Sequence, residues 1–195
     1  MSPRLKVLTK QISDCKICAS HFEHTPKPIF QLNTQAKILV AGQAPGRKAH
    51  ASGIPFSDPS GDRLRDWMGV TNETFYDAKK IALLPMGFCY PGHGSAGDLP
   101  PRKECAKAWR QQTLDAMPNI QLTLVIGQYA IEWHLAALRK SNLTETVRAW
   151  KLYAPAVIPL PHPSPRNNIW LRKNQWFEEE VLPSLRKRVR KCLSK

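Results

Sequence analysis

Four short runs of apolar residues constrain the fold of this chain more than any other feature of it. Residues 37–41 end in Gly42, and residues 81–84, 122–126 and 156–160 repeat the pattern. Continuous runs of that length, without polar alternation, suit strands buried on both faces of a parallel sheet. Between them apolar residues recur at helical spacing: Leu64, Trp67 and Met68 share a face, as do Cys105, Ala108, Trp109 and Gln112, and Ile131, Leu135 and Leu138. Strands alternating with amphipathic helices predict an α/β protein, a three-layer α/β/α sandwich with a central four-stranded, mainly parallel sheet.

In such sheets ligands gather at the carboxyl ends of strands. The first strand leads into Gly42-Gln43-Ala44-Pro45-Gly46 and the last into His162-Pro163-Ser164-Pro165-Arg166-Asn167. Both loops leave the same edge of the sheet, so one cleft can be lined by Gln43 and His162. Four prolines in the seven residues 159–165 fix φ and restrain their neighbours, which presents His162 and Arg166 at low entropic cost. Prolines alone serve equally as a rigid surface turn, and the partner loop upstream decides for a site. Residues 52–62 are dense in turn formers yet carry Phe56, either a plug on the core or a platform on which a base can stack.

Charge points to the partner. With 29 Lys and Arg against 15 Asp and Glu, the net charge is +14, which draws polyanions and gives binding a marked salt dependence. Arg186, Lys187, Arg188, Arg190, Lys191 and Lys195 supply only part of the excess, and nucleic acid is the first partner to expect. No run approaches the ~18 apolar residues of a membrane span, and the N-terminus lacks a signal-peptide apolar region. A cytoplasmic, membrane-free monomer of one domain over 1–195 is expected, with an N-terminal helix and cysteine knuckle over 1–24 and a basic helix over 174–195.

Five cysteines in a reducing compartment argue for metal over disulfides. Cys15-Lys16-Ile17-Cys18 places two thiolates on one side of a tight turn. His21 and His24 close by would complete a local zinc site in a cramped loop, whereas Cys89 and Cys105 would complete an all-thiolate site that ties a distant loop to the N-terminus. The second set is favoured. Cys192, in the basic helix, reads as a thiol outside either set.

Together these motifs resemble the uracil-DNA glycosylase superfamily. Gly42-Gln43-Ala44-Pro45-Gly46 resembles its first motif, Gly53-Ile54-Pro55-Phe56 with Ser60-Gly61 its aromatic-bearing continuation, and His162-Pro163-Ser164-Pro165-Arg166-Asn167 its second motif. Cys15, Cys18, Cys89 and Cys105, with Pro91 and Pro100-Pro101 between the last two, resemble the iron–sulfur families 4 and 5. The resemblance implies a [4Fe–4S] cluster of structural role, with zinc on the same four cysteines as the alternative. It implies an enzyme that flips uracil or a related deaminated base out of DNA and hydrolyses its N-glycosidic bond. Phe56 would stack on the extruded base; His162, with the Gln43 and Ala44 backbone N–H groups, would stabilise the departing anion; Arg166 would wedge the duplex, with Ser164 and Asn167 as neighbouring DNA contacts.

Two departures from the family pattern stand out. The positions where relatives of families 1 and 4 carry an acid are Ala44 and Gln43; Gln43 can orient a water but cannot act as a general base. Asp58 and Asp62 are the substitute carboxylates at hand, Asp62 reading more as part of a helix N-terminus. Near Pro85, where many relatives read the uracil edge with asparagine, there is no side-chain donor, so base choice is expected to extend beyond uracil. The alternative reading is a cluster-bearing DNA-binding protein of the same fold that has lost the chemistry.

Overall fold

The computed structural model describes residues 2–95 and 97–194; Lys195, counted above with the basic helix, lies outside them. Helix α1 (Pro3–Ser13), capped by the Ser2 hydroxyl, leads to the cysteine turn and an extended connection. Strand β1 (Ile38–Ala41) is followed by α2 (Arg47–Ser52), α3 (Pro59–Met68) and α4 (Asn72–Phe75). Strand β2 (Ile81–Leu83) precedes a hairpin of β3 (His93–Gly94) and β4 (Gly97–Asp98), then α5 (Lys103–Asp115). Strand β5 (Leu122–Ile126), α6 (Gly127–Leu135), α7 (Leu143–Arg148), β6 (Val157–Leu160), α8 (Asn168–Lys173) and α9 (Leu182–Leu193) complete the chain.

The sheet runs β2-β1-β5-β6, all parallel, so the expected sandwich holds and the sheet is parallel throughout. Both edges are managed. On β6, Pro159 sits in an edge strand, where its missing N–H costs no inner ladder bond. On β2, Gln31 pairs antiparallel with Leu83, so the extended connection before β1 covers that edge.

Side chains alternate across the pleat. Ile38 and Val40 join Leu83, Leu124 and Leu160 in a core closed by Leu64, Trp67 and Met68 of α3 and by Leu185, Val189 and Cys192 of α9. Leu39 and Ala82 face the other way, onto Leu5, Leu8 and Ile12 of α1 and Met117 beyond α5. Ala41 and Val125 meet Ala130, Ile131 and Leu135 of α6. Two expectations are revised. The basic C-terminal segment opens with a π turn over Phe177–Val181 and then lays an apolar stripe, Cys192 included, into the core. Helix α6 stops at Leu135 because Ala136 turns to φ 44°, so Leu138 leaves the shared face and is 70% exposed.

Among the described residues no helix is long and apolar enough to cross a membrane.

Candidate active site

A cleft of about 380 Å³ opens at the carboxyl ends of the strands. It is lined by Gln43, Ala44, Phe56, Asp58, His162, Ser164, Arg166 and Asn167, so the residues singled out in three separate stretches of sequence meet in one place. The first and last strands are not adjacent, since β5 lies between them. The cleft spans β5, which hands the chain to α6 through Gly127 at φ 76°.

The first-motif loop is pinned by its carbonyls: Gly42 O accepts from Met86 N–H at 2.9 Å and Gln43 O from Gly87 N–H at 3.0 Å. These bonds tie it to the segment after β2 and bring Pro85 into the wall.

Phe56 is half-buried and sits between the core and the cleft. Its ring meets Phe75 edge-on at 6.0 Å, so it packs on the core, while it also lines the cleft. The ring crowds Gly42, where a Cβ would lie 3.2 Å from it. Phe56 adopts φ 56°, a left-handed conformation that a bulky residue holds only when its surroundings enforce it. Here Arg65 Nη1 donates to Phe56 O at 3.2 Å, and the Tyr76 hydroxyl reaches Pro55 O at 3.0 Å and Phe56 O at 3.2 Å. Arg65 is itself buried, paired with Asp62 at 2.7 Å and stacked over Phe75 and Tyr76.

Both aspartates belong to the start of α3, and Asp58 alone of the two also faces the cleft. Asp58 is the N-cap of α3, its Oδ1 accepting from Gly61 N–H at 3.0 Å, and it also lines the cleft. Asp62 lies in the first turn, largely exposed, as the partner of Arg65.

His162 is held by its own loop. Its Nδ1 accepts from Ser164 N–H at 3.2 Å, which leaves the ring proton on Nε2 and makes that nitrogen a donor. Burial lowers its pKa, opposed by the negative charges of Asp58 and Asp98. Ser164 Oγ accepts from Arg166 N–H, and Asn167 Nδ2 donates to His162 O at 2.7 Å, so both side chains expected to meet DNA already brace the turn. Arg63 clamps the loop from α3, donating to Ser164 O at 3.1 Å and Asn168 Oδ1 at 2.8 Å. The Arg166 guanidinium crosses to the hairpin and rests on Gly97, where a Cβ would lie 2.4 Å from Nη1.

Four residues of this architecture were not singled out in the sequence. Arg65 was legible as the i+3 partner of Asp62. Arg63 and Asp98 carry no local signal, since both act across long separations. Arg110 hid on an amphipathic helix as an ordinary charge, yet it is 1% exposed and donates to Leu84 O and Pro85 O at 3.1 and 3.0 Å.

The cysteines form a second centre. Cys15, Cys18, Cys89 and Cys105 line one small cavity between the N-terminal turn, the segment after β2 and the first turn of α5. No disulfide joins them. Trp109 Nε1–H donates to Cys15 Sγ and Phe88 N–H to Cys105 Sγ, each at 3.3 Å, the kind of support that outer-shell donors give metal-bound sulfur. Burial, reinforced by the neighbouring cysteines, pushes Cys89 up to about 11 and Cys105 to about 12. The donor set fits a thiolate-bound group in kind and number. Among the described residues, no three His, Cys, Asp or Glu side chains stand together in metal-binding geometry. His21 and His24 lie outside the cavity; His24 is stacked between Phe22 and Tyr90.

The family model described as the uracil DNA glycosylase superfamily matches residues 29–186, which takes in the cleft with all its lining loops, Cys89 and Cys105, and leaves out Cys15 and Cys18. A parallel four-stranded sandwich whose first and last strand loops build one cleft thus carries the family's pattern over most of its length, and the chain belongs to the uracil DNA glycosylase superfamily, a group of DNA glycosylase hydrolases.

Proposed function

We propose that this protein excises uracil or a related deaminated base from DNA by hydrolysing the N-glycosidic bond. The observation that carries the reading is the meeting of Gln43, Phe56 and His162 in one cleft with an Arg166 lip. A base inside the stack is out of reach, so it must be extruded, and its place in the duplex filled. Arg166, exposed at the mouth, fills that place, and Phe56 offers its face to the extruded ring. As the bond breaks, negative charge grows on the base; the His162 Nε2–H, with the backbone N–H groups of Gln43 and Ala44, is preorganised to meet it. Neutral histidine suits this work, since a donor with its pKa held down keeps its proton near neutral pH without carrying charge. The Gln43 carboxamide orients the attacking water, and the Asp58 carboxylate favours the cationic sugar.

Pro85 in the cleft wall presents no donor to a base edge, which favours a range of deaminated bases over uracil alone. The four cysteines support a [4Fe–4S] cluster of structural role, as in families 4 and 5, with zinc as the competing occupant. When bound, either would tie the N-terminal turn to α5.

An oligonucleotide panel tests the reading. Single- and double-stranded substrates carrying uracil, hypoxanthine or xanthine are incubated with protein and treated with alkali; scission at one or more of these bases is expected. Intact binding without scission at any base would leave only a DNA-binding protein. Iron, sulfide and zinc analysis of anaerobically purified protein decides the cofactor, and a colourless product with one zinc would exclude the cluster.

A further inference from the structure

The first motif offers no carboxylate, because its acid-bearing positions hold Gln43 and Ala44. Hydrolysis nevertheless needs an acceptor for the proton that the attacking water loses. Two carboxylates line the cleft, and Asp58 already commits Oδ1 to the α3 cap. The other is Asp98, which comes from the β3–β4 hairpin.

Asp98 is anchored at one oxygen and presented at the other. Its Oδ1 takes His93 Nδ1 at 3.2 Å and lies 3.5 Å from the Tyr90 hydroxyl. Tyr90 is buried and packed against His24 and His50, and Leu99 N–H closes the hairpin on Gly92 O at 2.9 Å, so the platform is firm. The second oxygen, Oδ2, lies against the end of the first-motif loop, where a Cβ on Gly46 would sit 3.4 Å from it. The carboxylate therefore stands at the junction of the hairpin and the loop that carries Gln43. Through-space attraction from both Asp98 and Asp58 reaches His162, as expected of groups sharing one cavity.

We propose that Asp98 is the general base of this glycosylase, an assignment that rests on the proposed function. The C1′–N bond breaks with its electron pair leaving on the base, which His162 receives as an anion. Water adds through oxygen to C1′ of the cationic sugar, and one of its protons passes to Asp98 Oδ2. The products are an abasic sugar and a base anion; solvent then protonates the base and takes the proton from Asp98. Before the water attacks, the same negative charge stabilises the cationic sugar.

Asp98→Asn keeps the shape and an oxygen for the His93 and Tyr90 contacts while removing the acceptor. Its single-turnover excision rate is expected to fall about 100-fold or more, within the range of positioned general bases. Binding to a substrate duplex should be unchanged or tighter, because a negative charge leaves the face that receives phosphates. Asp98→Ala, checked for folding by its melting temperature, should regain part of its rate with added formate, which a purely structural role of the hairpin would not permit. An Asp98→Asn rate within about threefold of wild type, or a slow Asp98→Ala that formate leaves unmoved, overturns the assignment. Wild-type protein assayed alongside separates the two readings: if it cuts no deaminated base, the glycosylase reading itself falls, whereas an active wild type with equally active variants removes Asp98 alone.

Discussion

At the scale of single residues, two histidines illustrate how burial sets chemistry. His162 is neutral and supplies one oriented donor; His162→Ala should lower excision at least about tenfold, on the order of one lost preorganised donor. Gel-based single-turnover kinetics checks this, and an unchanged rate would remove His162 from the mechanism. His134 is partly buried, its Nε2 accepting from Arg110 Nη2 at 2.6 Å, and burial with the Arg110 charge lowers its pKa to about 3. The unfolded chain takes up a proton near the ordinary value of ~6.5, whereas the folded chain resists it. Stability contributed by neutral His134 is therefore complete above that value and is lost as pH falls toward the folded one. Between about pH 7 and about pH 5 the unfolding free energy from denaturant titrations should drop, by about 1.4 kcal/mol per pH unit below ~6.5 for each such proton. His134→Gln keeps an acceptor for Arg110 and should flatten that slope; an unaltered slope would place its source elsewhere.

Among elements, the contact between the Phe56 turn and the start of α3 is the tightest. A Cβ on Gly61 would lie 1.8 Å from Phe56 O, the oxygen that Arg65 and Tyr76 also hold. Gly61→Ala cannot be absorbed by a flexible side chain, because the obstacle is backbone. The substitution should cost about 2 kcal/mol or more of stability and push the Phe56 ring off the cleft wall, weakening excision beyond the stability loss. Urea denaturation and substrate titration measure the two effects, and wild-type values in both would show that the turn tolerates displacement. A similar division governs the segment after β2, where the Leu84 and Pro85 carbonyls are gripped by buried Arg110, so this part of the cleft wall is positioned from α5 behind it.

For the molecule as a whole, the net charge of +14 and the Arg166 lip predict binding dominated by phosphate contacts. Duplex affinity should fall with salt at a log–log slope of about −3 or steeper, since each neutralised phosphate contributes about −0.9; fluorescence anisotropy across a salt series tests it, and a slope near zero would contradict it. The layer order and the edge at which the cleft opens follow from local information alone. Strand-length apolar runs and helical spacing decide which segments bury which faces, and proline and glycine chemistry marks Gln43, Phe56 and His162 within rigid loops. Those signals lie within a few residues of one another, so they survive in a linear reading. That Asp58 caps α3 while it also lines the cleft turned on a single backbone N–H that periodicity cannot locate. The Arg63 clamp, the Arg110 support and the Asp98 wall depend on groups brought together across large sequence separations by sheet order and by the pairing of two short strands. Nothing in a charged residue's neighbours tells whether it meets water or a buried carbonyl, and that choice is made only when the layers close.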